Sequence, residues 1–276
     1  MSIIIVLFLI GLIGGVLAGW FGIGGGVLFV VALTEYYATL SCSDYTAPQL
    51  VQLIIANSIF AVMFSGWVGS YKQYRQGTFY YTHFIPLGSV AFVALQATTY
   101  LLTHVVHFDR AAFVIIFCSL LFVLSLRSLI ASPHYTTPSI APTPAQITLV
   151  GVLAGSIVAT TGLGGGAVLV PMLTIFFNYK YKKAVSISLG FIALVATLTS
   201  IVNLLKPLNS PCLRITDYYI GNINIQLLLP LIVGIIIATP LGVHISNIAK
   251  ERYSKLGFFV FILIIIARLC YTTFLQ

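Results

Sequence analysis

Two glycine clusters offer the clearest chemistry in this 276-residue chain. Gly22-Ile23-Gly24-Gly25-Gly26 returns as Gly162-Leu163-Gly164-Gly165-Gly166. Glycine lets a backbone turn sharply and approach a ligand closely, because no Cβ intervenes. A helix restarting after Gly26 or Gly166 would present N–H groups without intrahelical acceptors and a partial positive charge. A small anion needs such donors. Gly24, Gly25, Gly164 and Gly165 are therefore candidate substrate-binding positions. Asn57, Ser58, Thr161 and Ser188 are the polar candidates that would complete a cage, with Thr160 and Ser186 beside them. The same glycines also suit close helix packing, as Gly11 and Gly15 do. Hydroxyls on helices often bond back to their own backbone. Both uses stay open for these residues.

Other chemistries find little to work with. The four cysteines, Cys42, Cys118, Cys212 and Cys270, have no metal-ligand spacing. Cys118 and Cys270 fall in apolar spans, while Cys42 and Cys212 fall in loops where a disulfide is open. A membrane enzyme would need a nucleophile with its base, a metal cluster or an acid pair, and the sequence offers none. It implies no cofactor. No Walker-type loop supports an ATP-driven pump. Glu35 and Asp217 lie near span ends, so a carboxylate relay through the membrane has no obvious carrier. His83 and His244 also lie toward span ends, where structural roles are the plain expectation.

The elements that must position the glycines are membrane helices. The chain is 59% hydrophobic and 7% charged, with 13 basic and 5 acidic residues, and its mean hydropathy is +1.08. Soluble domains carry about 25% charged residues. The predicted fold class is all-α, a polytopic membrane protein of two homologous, inverted repeats. About eight apolar stretches span 2–38, 48–70, 80–103, 111–131, 145–177, 183–205, 223–247 and 256–275. The first would reach roughly 55 Å as one straight helix at about 1.5 Å per residue, against a hydrocarbon core of about 30 Å. The first and fifth contain the glycine clusters and read as helices broken into hairpins. Gly11, Gly15, Val30 and Leu33 return at the same spacing as Gly151, Gly155, Val170 and Leu173, which marks a duplication. The N-terminal stretch belongs to that repeat, and it lacks the basic start of a signal peptide.

Charge supports the hairpins. Single crossings throughout would split the basic residues six to seven. With hairpins, Lys72, Arg75, Arg127, Lys180, Lys182, Lys183, Lys250, Arg252 and Lys255 share one side, and Arg110, Lys206, Arg214 and Arg268 oppose them. That distribution obeys the positive-inside rule and puts both termini outside. It also brings the Cys42 and Cys212 loops to the same side. The stretch 132–146 carries four prolines among small and polar residues. It reads as a linker between a first transmembrane repeat, 1–131, and a second, 147–276.

Three further runs give these clusters a family likeness. They are Val170-Pro171-Met172-Leu173, Tyr74-Arg75-Gln76-Gly77 and Lys183-Ala184-Val185-Ser186-Ile187-Ser188-Leu189. With the duplicated glycine cluster and the membrane setting, they resemble the TauE/SafE family, the sulfite exporter or toluene sulfonate uptake permease superfamily. The first cluster departs from the family in being followed by Val30-Val31-Ala32-Leu33, without a proline. The resemblance implies a secondary transporter, an exporter of sulfite, an organosulfonate or a related sulfur-containing anion, in a bacterial-type plasma membrane. Paired broken helices are also where transporters hold substrate. Sulfite titrates near neutrality, so the substrate itself would carry any coupled proton. The implied partners are a small anionic substrate and membrane lipids, with no nucleic acid, and a homo-oligomer is compatible with this plan. A carboxylate transporter and a non-transporting accessory subunit are the alternatives.

Overall fold

In a hydrocarbon setting every backbone polar group must find a partner inside the protein, which leaves helices as the economical solution. The computed structural model describes residues 2–39, 47–80, 83–104, 110–130, 142–162, 164–206 and 218–274. The first half holds α1 (Ser2–Phe21), α2 (Gly26–Thr39), α3 (Ala47–Arg75), α4 (Phe84–His104) and α5 (Arg110–Ile130). The second holds α6 (Pro144–Thr161), α7 (Gly166–Phe176), α8 (Tyr181–Leu205), α9 (Ile225–Ile248) and α10 (Glu251–Phe274). A short antiparallel ladder, β1 (Tyr219–Ile220) with β2 (Ile223–Asn224), precedes α9. Among the described residues, six helices are long and apolar enough to cross a bilayer: α1, α3, α4, α6, α8 and α9. Val93, Leu229, Ile237 and Ile264 are among the large apolar side chains on the outside of the bundle. Lipid is the solvent that such a surface suits.

Both long stretches break at their glycines. α1 ends at Phe21 and α2 starts at Gly26; α6 ends at Thr161 and α7 starts at Gly166. α2 then doubles back along α1, because the Phe29 ring lies where a Cβ on Gly14 would stand. α6 begins at Pro144, inside the stretch expected to be linker. Thr143 and Gln146 form a capping box there, and Pro144 occupies the first turn, where its missing N–H costs nothing. Cys42 and Cys212 lie outside the described residues; Cys118 is buried and free.

The helices pack across the halves. α1 runs parallel to α9, with Gly11, Gly15 and Gly19 meeting the backbone at Leu231, Ile235 and Thr239 in turn. Gly234 and Gly242 return the contact against Phe8 and Val16. α6 lies against α4 in the same manner, with Gly151 and Gly155 on the backbone at Leu87 and Ala91. Small residues let these backbones touch, which is how membrane helices gain van der Waals contact without a hydrophobic drive. Gly11 and Gly15 are thus packing residues in this structure. α3 and α8 cross at the centre in opposite directions, because Gly66 meets Ala193 while Gly69 meets Leu189.

Polar contacts sort the helix ends onto two faces. Asn247 Nδ2 donates to Gln76 Oε1 at 2.7 Å, Lys182 Nζ donates to the Asn247 carbonyl, and the Tyr181 N–H reaches Glu251 at 3.5 Å. These bonds gather the ends of α3 and α9 and the starts of α8 and α10, with most of the lysines and arginines. At the opposite face, the Tyr37 and Tyr219 hydroxyls meet at 3.2 Å and Arg268 pairs with Glu35 at 3.6 Å. Crossing the first and fifth stretches once each would put Gln76 and Asn247 on opposite faces. Both tryptophans are engaged in helix contacts: Trp20 Nε1 donates to Ser254 at 3.1 Å, and Trp67 Nε1 donates to Thr197 at 2.8 Å.

The α1–α9 contact carries a direct test. A side chain on Gly242 would collide with the Val16 carbonyl and lie 2.9 Å from the Trp20 nitrogen. Gly242→Val should destabilise the protein by about 1–3 kcal/mol or more, seen as a lower melting temperature in detergent. Gly77→Asn is the control: nothing lies within 4 Å of its Cβ position, and asparagine tolerates its left-handed conformation.

Candidate substrate site at the glycine turns

The two breaks have one backbone geometry. Gly22, Gly24 and Gly25 have φ of 71°, 85° and 74°, and Gly162, Gly164 and Gly165 have 67°, 74° and 75°. Side chains other than glycine rarely adopt these angles. The Gly22 N–H bonds the Ala18 carbonyl at 2.9 Å, as the Gly162 N–H bonds Val158 at 2.9 Å. Each next helix opens on Gly25 or Gly165, whose carbonyls accept from Leu28 and Phe29, and from Val168 and Leu169. The earlier N–H groups of such a helix have no acceptor within it. Both turns are buried.

The turns meet at the crossing of α3 and α8. A Cβ on Gly166 would collide with the Gly22 carbonyl. Val62 and Ile192 wedge between the two: a Cβ on Gly24 would stand 3.0 Å from Val62 and 3.2 Å from Ile192, and one on Gly164 would stand 2.7 Å from Val62. Two serines then cross over. Ser188 donates to the Gly22 carbonyl at 2.7 Å. Ser58 shares its single proton between the Gly162 and Gly26 carbonyls, each at 3.3 Å. Each half's third helix therefore serves the other half's turn. Ile55 and Val185 repeat that relation: a Cβ on Gly162 or Gly22 would stand 3.3 or 3.2 Å from their Cα atoms.

Asn57 has another task. Its amide donates to the Leu53 carbonyl at 2.8 Å and the Asn222 carbonyl at 3.0 Å, and its oxygen accepts from the Asn224 N–H at 2.8 Å. It clamps the β1–β2 turn onto α3. The connector before α4 is the counterpart: Ser186 accepts from the Tyr80 N–H at 3.0 Å. Gly77 follows α3 and Gly221 makes the β1–β2 turn, with φ of 66° and 56°. Thr161 donates back to Ile157 at 2.6 Å, and Thr160 also bonds within α6. The structure thus brings together Gly24, Gly25, Gly164, Gly165, Ser58 and Ser188, holds Asn57 at the edge and turns the Thr161 proton into its own helix. The hydroxyls of Ser58, Ser188 and Thr161 are thus engaged by backbone carbonyls.

Several residues at this centre were not flagged by sequence pattern. Ser65 donates to the Gly24 carbonyl at 2.9 Å. Its equivalent in α8 is Val195, which has no hydroxyl to offer. Ser70 and Ser200 occupy equivalent positions on α3 and α8, and their buried hydroxyls, with that of Thr199, have no hydrogen-bond partner among the described residues. Laying α3 on α8, as the glycine clusters are laid on each other, would have revealed these pairs. Among the described residues, no group of histidine, cysteine and acidic side chains is placed to hold a metal.

The serine bonds are testable. Ser188→Ala leaves a buried carbonyl without its short partner and should cost about 1–3 kcal/mol. Ser58→Ala should cost less, because its proton is already divided between two long contacts. Unfolding of both variants in detergent checks the order. His83, ahead of α4, gives a pH test. Burial, then the nearby Lys183 charge, lowers its pKa from 6.5. The stability it contributes is full above 6.5 and lost as pH falls through that value toward the folded one. His83→Asn, which suits the left-handed φ of 71°, should flatten the fall in melting temperature between about pH 7 and about pH 5.

Comparison with known proteins agrees with this architecture. Residues 7–269 match the family described as Sulfite exporter TauE/SafE. A probable membrane transporter protein of Methanocaldococcus jannaschii is 27% identical over 252 residues, covering 91% of this chain and 89% of that one. Another, from Haemophilus influenzae, is 23% identical over 267 residues, covering 96% and 97%. No solved structure matches. An apolar helical bundle, paired glycine breaks at its centre and a family match over nearly the whole length lead to one assignment: the chain belongs to the sulfite exporter TauE/SafE family of membrane transporters.

Proposed function

We propose that the protein is a secondary transporter that exports sulfite, an organosulfonate or a related small sulfur oxyanion, held between the two glycine turns. The observation that carries this reading is the reciprocal bonding of Ser188 to Gly22 and Ser58 to Gly162. It makes the two turns one centre, built from both halves. Gly24, Gly25, Gly164 and Gly165 supply backbone N–H groups to the anion, with the partial positive ends of α2 and α7 behind them. Ser58 and Ser188 hold the turns, and Thr161 and Asn57 bound the site.

The two halves are inverted repeats in this reading. Support comes from the equivalent helices α3 and α8, which run in opposite directions, and from α1 on α9 matching α6 on α4. An operation that reverses a helix's direction has its axis in the membrane plane. Such a pair of halves suits alternating access, one half rocking against the other about a midplane site. The tight fit of Val62 and Ile192 over the glycines then belongs to a closed conformation, and rocking must withdraw them. The lysine-rich face is cytoplasmic by the positive-inside rule, both termini lie outside, and the membrane is the plasma membrane.

The test is efflux of labelled sulfite, and of a labelled organosulfonate, from proteoliposomes, with acetate as a competing carboxylate. Wild-type protein should carry the sulfur anion without acetate inhibition. Gly165→Leu should lower flux at least tenfold; because a leucine at φ of 75° is strained, the comparison is made on protein that still melts cooperatively. Absence of wild-type flux for both sulfur anions, or inhibition by acetate equal to self-inhibition, would overturn the substrate assignment. A folded, fully active Gly165→Leu would remove the glycine site.

A further inference from the structure

Lys183 is held differently from two neighbouring cations of the basic face. Lys255 pairs with Glu251 at 3.2 Å, and Lys182 bonds the Asn247 carbonyl. Lys183 instead sits over aromatic rings, its Nζ 3.8 Å from the centre of Tyr179 and 5.7 Å from that of Tyr80. Among the described residues, no carboxylate lies within ion-pair distance of it. The Tyr179 hydroxyl meets His83 Nδ1 at 3.1 Å, which closes the cluster.

Two turns bring these groups together, and each carries a left-handed residue: His83, with φ of 71°, and Asn178, with φ of 51°, are the non-glycine left-handed residues among the described ones. The cluster also lies on a line to the glycine turns. From Lys183, α8 reaches Ser188, which bonds Gly22, in five residues, about 7.5 Å at about 1.5 Å each. Tyr80 is part of the connector that rests on α8 through Ser186, and the Phe79 ring beside it lies 3.2 Å from where a Cβ on Gly190 would stand.

We propose that Lys183, walled by Tyr80 and Tyr179 and flanked by His83, is a second binding site for a small oxyanion, between the basic face and the glycine turns. The ring faces hold the ammonium in place and leave donors of its three N–H groups for a ligand. With no carboxylate beside it, the cation is not neutralised before an anion arrives. The inference rests on the reading of this chain as an anion transporter, but it involves different residues from the glycine site.

The experiment is calorimetric titration of sodium sulfite into the full-length protein in detergent, for wild type, Lys183→Gln, Lys183→Arg and Tyr80→Ala. The wild type should give two binding events. Lys183→Gln should weaken one of them by about tenfold or more, and Lys183→Arg should keep it. Tyr80→Ala, at an exposed ring outside the helices, should weaken the same event by about two- to fivefold. That variant preserves the test if Lys183→Gln does not fold. Two events unchanged in both Lys183→Gln and Tyr80→Ala, or one event insensitive to both, would overturn the second site while leaving the glycine site intact. A Lys183-dependent event in a protein without sulfite flux would support this site and count against the transport reading instead.

Discussion

Backbone carbonyls exposed by broken helices cannot be left unpaired in the middle of an apolar bundle. Water is not there to donate to them, and each orphan would cost on the order of kilocalories. Gly22 and Gly162 create such carbonyls by turning left-handed, and the hydroxyls that answer them come from the opposite half. Everything else in the centre follows from that exchange. α3 and α8 must cross where their serines can reach across, and Val62 and Ile192 must fill the space beside the glycines. The close glycine contacts of α1 with α9 and of α6 with α4 hold the broken helices in reach of those serines.

The two halves are alike without being identical. Ser65 adds a bond to the Gly24 carbonyl that Val195 cannot supply to the second turn. Pro171 sits inside α7, where α2 has Val31. One connector is held by an asparagine amide through two bonds, the other by a serine hydroxyl through one.

Much of this plan was legible in the sequence because glycine has few substitutes. The breaks at Gly22–Gly26 and Gly162–Gly166 announced themselves by composition inside apolar runs, and Gly11 and Gly15 announced close packing. Charge placement anticipated which helix ends share a face. The serine exchange was hidden for a physical reason. The loop before α3 is longer than the turn before α8, so the spacing that aligns the glycine clusters misaligns Ser58 with Ser188. Asn57 looked like a ligand group because a buried amide is costly unpaired; its partners lie in a connector far along the chain, which local pattern cannot reveal. The start of α6 was readable in Thr143 and Gln146, but the surrounding prolines spoke more loudly for a linker.

The reciprocity of the halves has a consequence for biogenesis. α1 packs along α9, which is made roughly 200 residues later. At about 5–20 residues per second, the ribosome delivers it roughly 10–40 s after α1. The first glycine turn waits nearly as long for Ser188. During that interval the N-terminal half sits in the bilayer with its packing stripe of Gly11, Gly15 and Gly19 uncovered and its Gly22 carbonyl short of the Ser188 donor. A nascent chain in that state has an adhesive surface suited to any helix with a small-residue stripe, including α1 of a neighbouring copy. Faithful assembly of this protein is thus a matter of timing as well as of sequence, and the late helices α8 and α9 complete a structure that the early ones leave open.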